Sequence, residues 1–122
     1  MKVSVQTCYK VIRKRSVFIQ IELLREYYFN HQVYISEHAD RRFRERGIKA
    51  RDVRNCVMNG RIIEDYPDDF PFPSCLILGK DLNGNALHVV MSSEGSMGRI
   101  ITAYKPDPKK WSKDFSIRKE NF

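Results

Sequence analysis

The hydrophobic pattern of the chain changes period at Gly60, and that change limits the fold more than any other feature. Before it, apolar residues recur at spacings of three and four. Ile21, Leu24 and Tyr28 do so in the stretch from Val17 to about Asn30, and Val53, Cys56 and Val57 between Ala50 and Asn59, with Gly60 read as the stop. After it, RIIEDY, SCLILGK, ALHVVMSS and RIITAYK read as strands. The acidic corner PDDFPFP separates the first two, because proline lacks the N–H that a ladder needs, and Asn83-Gly84 closes a hairpin between the second and third. The pattern predicts an α+β fold with N-terminal helices packed on one face of a three- to four-stranded antiparallel sheet. Gln32 to Ile35 reads as a short extended link, while Trp111 and Phe115 read as anchors that pin a basic C-terminal segment onto the body.

A chain of 122 residues suits a single domain, here residues 17–122, with residues 1–16 read as an arm or an edge strand. Val3 and Val5 alternate as a strand would, and Lys10, Arg13, Lys14 and Arg15 form a basic run. Twenty-two Lys and Arg against fifteen Asp and Glu give a net charge of +7, which points to a polyanionic partner such as nucleic acid. Cys8, Cys56 and Cys75 are odd in number, far apart and without metal-ligand spacing, so they read as thiols in a reducing cytoplasm. No apolar run approaches the roughly 18 residues of a membrane span, and a cytoplasmic protein with no membrane partner is expected.

The residues richest in chemistry lie in SEHADRRFRERGI, Ser36 to Ile48, which reads as one short helix with Ser36 as N-cap and Gly47 as left-handed stop. At roughly 100° per residue, His38, Arg42 and Arg46 form a stripe about 80° wide beside the core-facing Ala39 and Phe43. The positive end of the helix disfavours an imidazolium at His38, so a general base fits there; the plain alternative is a structural histidine bonded to a carbonyl. Arg42 and Arg46 suit a phosphate clamp, or else surface ion pairs with Glu45 and the acidic corner. In ALHVVMSS, alternation sets His88 and Val90 against Leu87, Val89 and Met91, leaving open whether His88 meets the helices. Tyr104, at the end of the last strand, can donate to a phosphate or orient a histidine, or simply pack at the rim. Arg41, Lys105, Lys109 and Lys110 are candidate RNA contacts, the lysines lying around Trp111 as charges mix with aromatics on single-strand-binding surfaces; a solvated tail is the plainer reading. There is no Gly-rich phosphate loop, HExxH, CxxC or nucleophile elbow, and neither metal nor cofactor is expected. Hydrolytic chemistry on RNA with these residue types would use the substrate's own 2′-hydroxyl as nucleophile.

The run HADRRFRERGI, followed by DVRNCVMNGRIIEDYP, PFPSCLILGK, GNALHVVM and IITAYKPD, resembles the small bacterial and archaeal family known as domain of unknown function 4258. The resemblance spans about Ile21 to Trp111, with His38, Ala39, Arg42, Glu45, Arg46, Gly47 and Ile48 at the signature positions. Lys49 departs from the usual polar cap after the RGI turn, and residues 1–17 have no counterpart. Members look like toxins of type II toxin-antitoxin modules, related in fold to the RelE, BrnT and MqsR ribonucleases and encoded beside MqsA-like zinc-finger, helix-turn-helix antitoxins. The resemblance thus implies a metal-independent endoribonuclease that cleaves mRNA. His38 would act as base or acid, Arg42 and Arg46 as clamps, and His88 or Tyr104 as the second proton-transfer group. The alternative is a non-catalytic module that binds nucleic acid or protein through its basic helix.

Overall fold

A computed structural model describes residues 18–120. The arm or edge strand expected over residues 1–16, and Cys8 with it, lie outside the described residues. The elements run α1 (Ile21–Phe29), β1 (Val33–Ile35), α2 (Glu37–Glu45), α3 (Ala50–Asn59), β2 (Arg61–Tyr66), β3 (Ser74–Lys80), β4 (Ala86–Ser93) and β5 (Gly98–Tyr104).

The helix ends show local chemistry at work. Ser36 Oγ accepts from the Ala39 N–H at 3.1 Å, and Gly47 leaves α2 at φ +71°. Lys49 has no acceptor to offer α3. Asp52 supplies it instead, one carboxylate oxygen accepting from Lys49 N at 2.9 Å and the other from Leu82 N at 3.0 Å, which ties the start of α3 to the β3–β4 turn. Gly60 ends α3, but not by a left-handed turn: it is extended, at φ −99° and ψ −164°. Its lack of a side chain serves packing, because a Cβ there would lie 2.4 Å from the Cys56 and Leu78 carbonyl oxygens. Arg25 of α1 donates to the Val57 and Gly60 carbonyls at 3.0 and 2.8 Å, placing a cation at the negative end of α3.

The sheet has five strands in the order β1-β5-β4-β3-β2, not three or four. The extra one is the stretch read as a link: Val33–Ile35 pairs in parallel with Gly98–Ile100. Nor do the helices form an N-terminal block, since β1 separates α1 from α2 and the last helix ends in mid-chain at Asn59. A three-residue strand is too short to display a period of two, so its pairing shows only in the fold. One core joins Leu24, Tyr27, Phe43, Val53, Cys56 and Val57 of the helices to Cys75, Ile77, Leu87, Val89, Met91 and Ile100 of the sheet. All three helices therefore cover a single sheet face. On the other face, residues after Tyr104 return as a strap, with Trp111 only 4% exposed and paired to Arg118 across a short loop. Asp114 folds that loop by accepting from Ser112 Oγ, Ser116 N and Ser116 Oγ, and these bonds hold its carboxyl at about 2.

Candidate active site

Two β-bulges decide what the strap-covered face carries. In a regular strand Ile62 and Glu64 would share a face. The register of β2 on β3 slips between them, so Ile62 stays with Ile77 on the helix side while Glu64 comes opposite Leu76 on the other. β5 slips likewise: Ile100 pairs with Met91 on the helix side, yet Thr102 pairs with Val90 and Tyr104 with His88 on the strap side. Cross-strand neighbours lie on one face, so Arg61, Leu78, His88 and Tyr104 form one row and Glu64, Leu76, Val90 and Thr102 the next.

His88, fully buried, sits at the centre of this face. Its Nε2 lies 2.9 Å from the Phe115 carbonyl, which can only accept, so Nε2 carries the proton. In the neutral ring Nδ1 then accepts from the Tyr104 hydroxyl at 3.2 Å. The Trp111 ring stands edge-on at 4.5 Å. Burial pushes the His88 pKa down, outweighing the Phe115 carbonyl and the Glu64 charge that favour the imidazolium. Burial also raises the Tyr104 pKa, so its phenol keeps its proton.

Beside them Glu64 accepts from Arg118 Nε at 2.9 Å and Nη2 at 3.2 Å, and from the Tyr66 hydroxyl. Burial alone would raise its pKa; the Arg118 and Tyr66 bonds reverse this, and the carboxylate stays charged. Tyr66 is pushed up to about 12, by burial first and by Glu64 second. The Arg118 guanidinium lies over the Trp111 ring at 4.7 Å, so the strap holds it in place from below.

Of the residues singled out in the sequence, His88 and Tyr104 come together, with Lys105, Lys109 and Lys110 exposed on the strap that begins beside them. His38, Arg41 and Arg42 are exposed on α2, in the helical layer on the opposite side of the sheet. Arg46 serves the sheet edge instead. β1 stops opposite Ile100, and Arg46 donates to the Ala103 carbonyl at 2.7 Å on the edge left open beyond it. The sheet thus divides His38 and Arg42 from His88 and Tyr104, Arg46 lies at the edge between them with Thr102 Oγ1 at 3.4 Å, and the five do not line one concavity. Among the described residues Arg42 and Arg46 form no ion pair with Glu45 or the acidic corner.

Glu64, Tyr66 and Arg118 escaped sequence reasoning. A glutamate inside RIIEDY is the available signal, but strict alternation would set it on the face of Ile62, and nothing local ties Arg118 to it across 54 residues. Together the cluster offers a charged carboxylate, two protonated phenols, a neutral imidazole and a guanidinium. It can accept one proton, supply another and neutralise an anion.

Among the described residues no helix is long and apolar enough to cross a membrane. No curated protein and no solved structure matches the chain. Residues 35–105, more than half of the chain, match the model of a family, a narrower span than Ile21 to Trp111. The match holds α2 and Glu64, Tyr66, His88 and Tyr104, but neither α1 nor the strap residues Trp111 and Arg118. The chain belongs to the family described as a domain of unknown function (DUF4258).

Proposed function

We propose that the chain is a metal-independent endoribonuclease acting on single-stranded mRNA, a toxin held in check by a cognate antitoxin, and that its reaction centre is the strap-covered sheet face. The observation that carries this reading is the convergence of Glu64, Arg118, His88 and Tyr104 under a lysine-bearing strap. Glu64 takes the proton of the 2′-hydroxyl, whose oxygen attacks the adjacent phosphorus. Arg118 moves from Glu64 to the phosphate and neutralises the charge that grows on its oxygens. Tyr104 turns its O–H from His88 Nδ1 to the departing 5′ oxygen and gives up its proton there. One P–O bond forms and one breaks, leaving a 2′,3′-cyclic phosphate and a 5′-hydroxyl.

The test is incubation of the purified protein with single-stranded RNA in the presence of a chelator. Cyclic phosphate ends are expected, with a loss of about 100-fold or more in Glu64→Gln and Tyr104→Phe, and little change in His38→Ala. In cells, the wild type should arrest growth and cut message while Glu64→Gln does neither. Intact RNA and normal growth with the wild type would reject the reading. A second reading then takes over, a binding module using α2, because Arg41 and Arg42 are exposed and belong to no ion pair among the described residues. Its mark is RNA retention that falls in Arg41→Ala and Arg42→Ala.

A further inference from the structure

Next to the Arg61–Leu78–His88–Tyr104 row the molecule has a cavity of about 930 Å³, between the end of α3, the β3–β4 hairpin and the strap. That is within the range of about 300–1,000 Å³ usual for small-molecule sites. Its wall mixes apolar surface from Leu78 and Phe115 with the amides of Asn55 and Asn59 and the cations Arg61, Lys80 and Lys113. The amides are set in advance: Asn55 Nδ2 donates to the Lys80 carbonyl at 2.9 Å, and Asn59 Nδ2 donates to Asn55 Oδ1 at 2.9 Å. Asn59 Nδ2 also donates to the Asn55 carbonyl at 3.3 Å, so both its N–H groups are used and Asn59 Oδ1 remains as an acceptor, while Asn55 keeps one N–H. Lys80 and Lys113 form no ion pair among the described residues, and Arg61 meets Asp114 only loosely, at 3.9 Å. The two carboxylates at the cavity, Asp81 and Asp114, are held by their own turns and keep their charge, with Asp114 Oδ2 toward Arg61. Asp81 accepts from the backbone N–H groups of Asn83 and Asn85, and Asp114 from Ser112 and Ser116.

We infer that this cavity is a nucleotide subsite: Asn59 Oδ1 accepts from the amino group of a nucleobase, and Lys80, Lys113 and Arg61 hold the attached phosphate. Phe115 links it to the reaction centre, since the residue that lines the cavity also takes the His88 N–H. A nucleotide seated there presents its neighbour to Tyr104 and Glu64, so the subsite selects the base beside the cut. As a substrate subsite it rests on the ribonuclease reading, but binding can be measured without any cleavage.

The test is titration of the full chain with each of the four ribonucleoside 3′-monophosphates and with inorganic phosphate, following the side-chain amide signals of Asn55 and Asn59 by NMR. Guanosine, adenosine and cytidine phosphates should bind about tenfold tighter than uridine phosphate or phosphate alone, and move those signals. Asn59→Ala should abolish the preference for amino-bearing bases and keep phosphate affinity. Lys80→Ala combined with Lys113→Ala, both exposed and free of structural bonds from their ammonium groups, should weaken every ligand by about tenfold or more. Equal affinity for all ligands, wild-type affinity in the lysine double variant, or signals that move elsewhere instead would overturn the inference. Nucleotide binding as described without RNA cleavage upholds the subsite and removes the ribonuclease reading. RNA cleavage without nucleotide binding does the reverse.

Discussion

His88 shows how one residue's surroundings set both its chemistry and the protein's response to pH. Folding buries it as a neutral ring with its pKa below the ordinary 6.5, whereas the unfolded chain titrates near that value. As pH falls below 6.5 the unfolded state binds a proton that the folded state refuses, so unfolding is favoured. The stability due to this burial is complete above 6.5 and is lost as pH drops through the folded value. Glu64, whose pKa lies below the ordinary 4.5, follows the same sign in a lower window: its contribution is full above 4.5 and disappears on further acidification. Calorimetry from pH 8 to pH 4 should therefore show a melting temperature that is flat at first, declines below 6.5 and steepens below 4.5. The upper decline should vanish in His88→Gln, whose amide can still donate to the Phe115 carbonyl. A wild-type melting temperature constant between pH 7 and 5.5 would refute the role assigned to burial. At the other side of the molecule Ser36 caps α2 through one bond, and Ser36→Ala should cost about 1 kcal/mol in chemical denaturation.

At the scale of elements, periodicity made most of the fold legible. α3 and strands β2, β3 and β4 begin and end where the pattern and the turn residues Asn83-Gly84 and Pro71–Pro73 put them. The cap signals of α2 were equally sound. The parts that could not be read depend on contacts distant in sequence. β1 exists because Gly98–Ile100 runs beside it, and Gly60 is glycine because Cys56 and Leu78 crowd it. The site failed to be legible for a related reason. Alternation along β2 and β5 is broken by one extra residue in each, and these bulges turn Glu64, Thr102 and Tyr104 to the face where His88 lies. The strap's anchor, by contrast, was visible as a lone tryptophan among lysines. Trp111→Ala removes the ring packed on His88 and beneath Arg118, and should cost about 3–5 kcal/mol of stability, read by denaturant unfolding. A loss under about 1 kcal/mol would mean that the strap is not seated on the sheet.

Among the described residues, exposed cations stand on two separate surfaces, with the sheet between them. One is the helical layer, where His38, Arg41 and Arg42 stand in solvent; the other is the strap, with Lys105, Lys109 and Lys110 exposed. Only the second adjoins the cluster of Glu64, Arg118, His88 and Tyr104. Counterion release gives each surface a separate signature, because every phosphate neutralised on a single strand adds about 0.7 to the slope of log affinity against log salt. If RNA crosses the strap-covered face, replacing Lys105, Lys109 and Lys110 by glutamine should flatten that slope by up to about 2. The same charge removed from the helical layer, by Arg41→Gln and Arg42→Gln, should leave it nearly unchanged. Fluorescence titration of the inactive Glu64→Gln protein with a single-stranded RNA at several salt concentrations reads the slope directly. The opposite pattern, a slope that responds to the arginines and ignores the lysines, would move the RNA to α2 and with it the whole reading from enzyme to binding module.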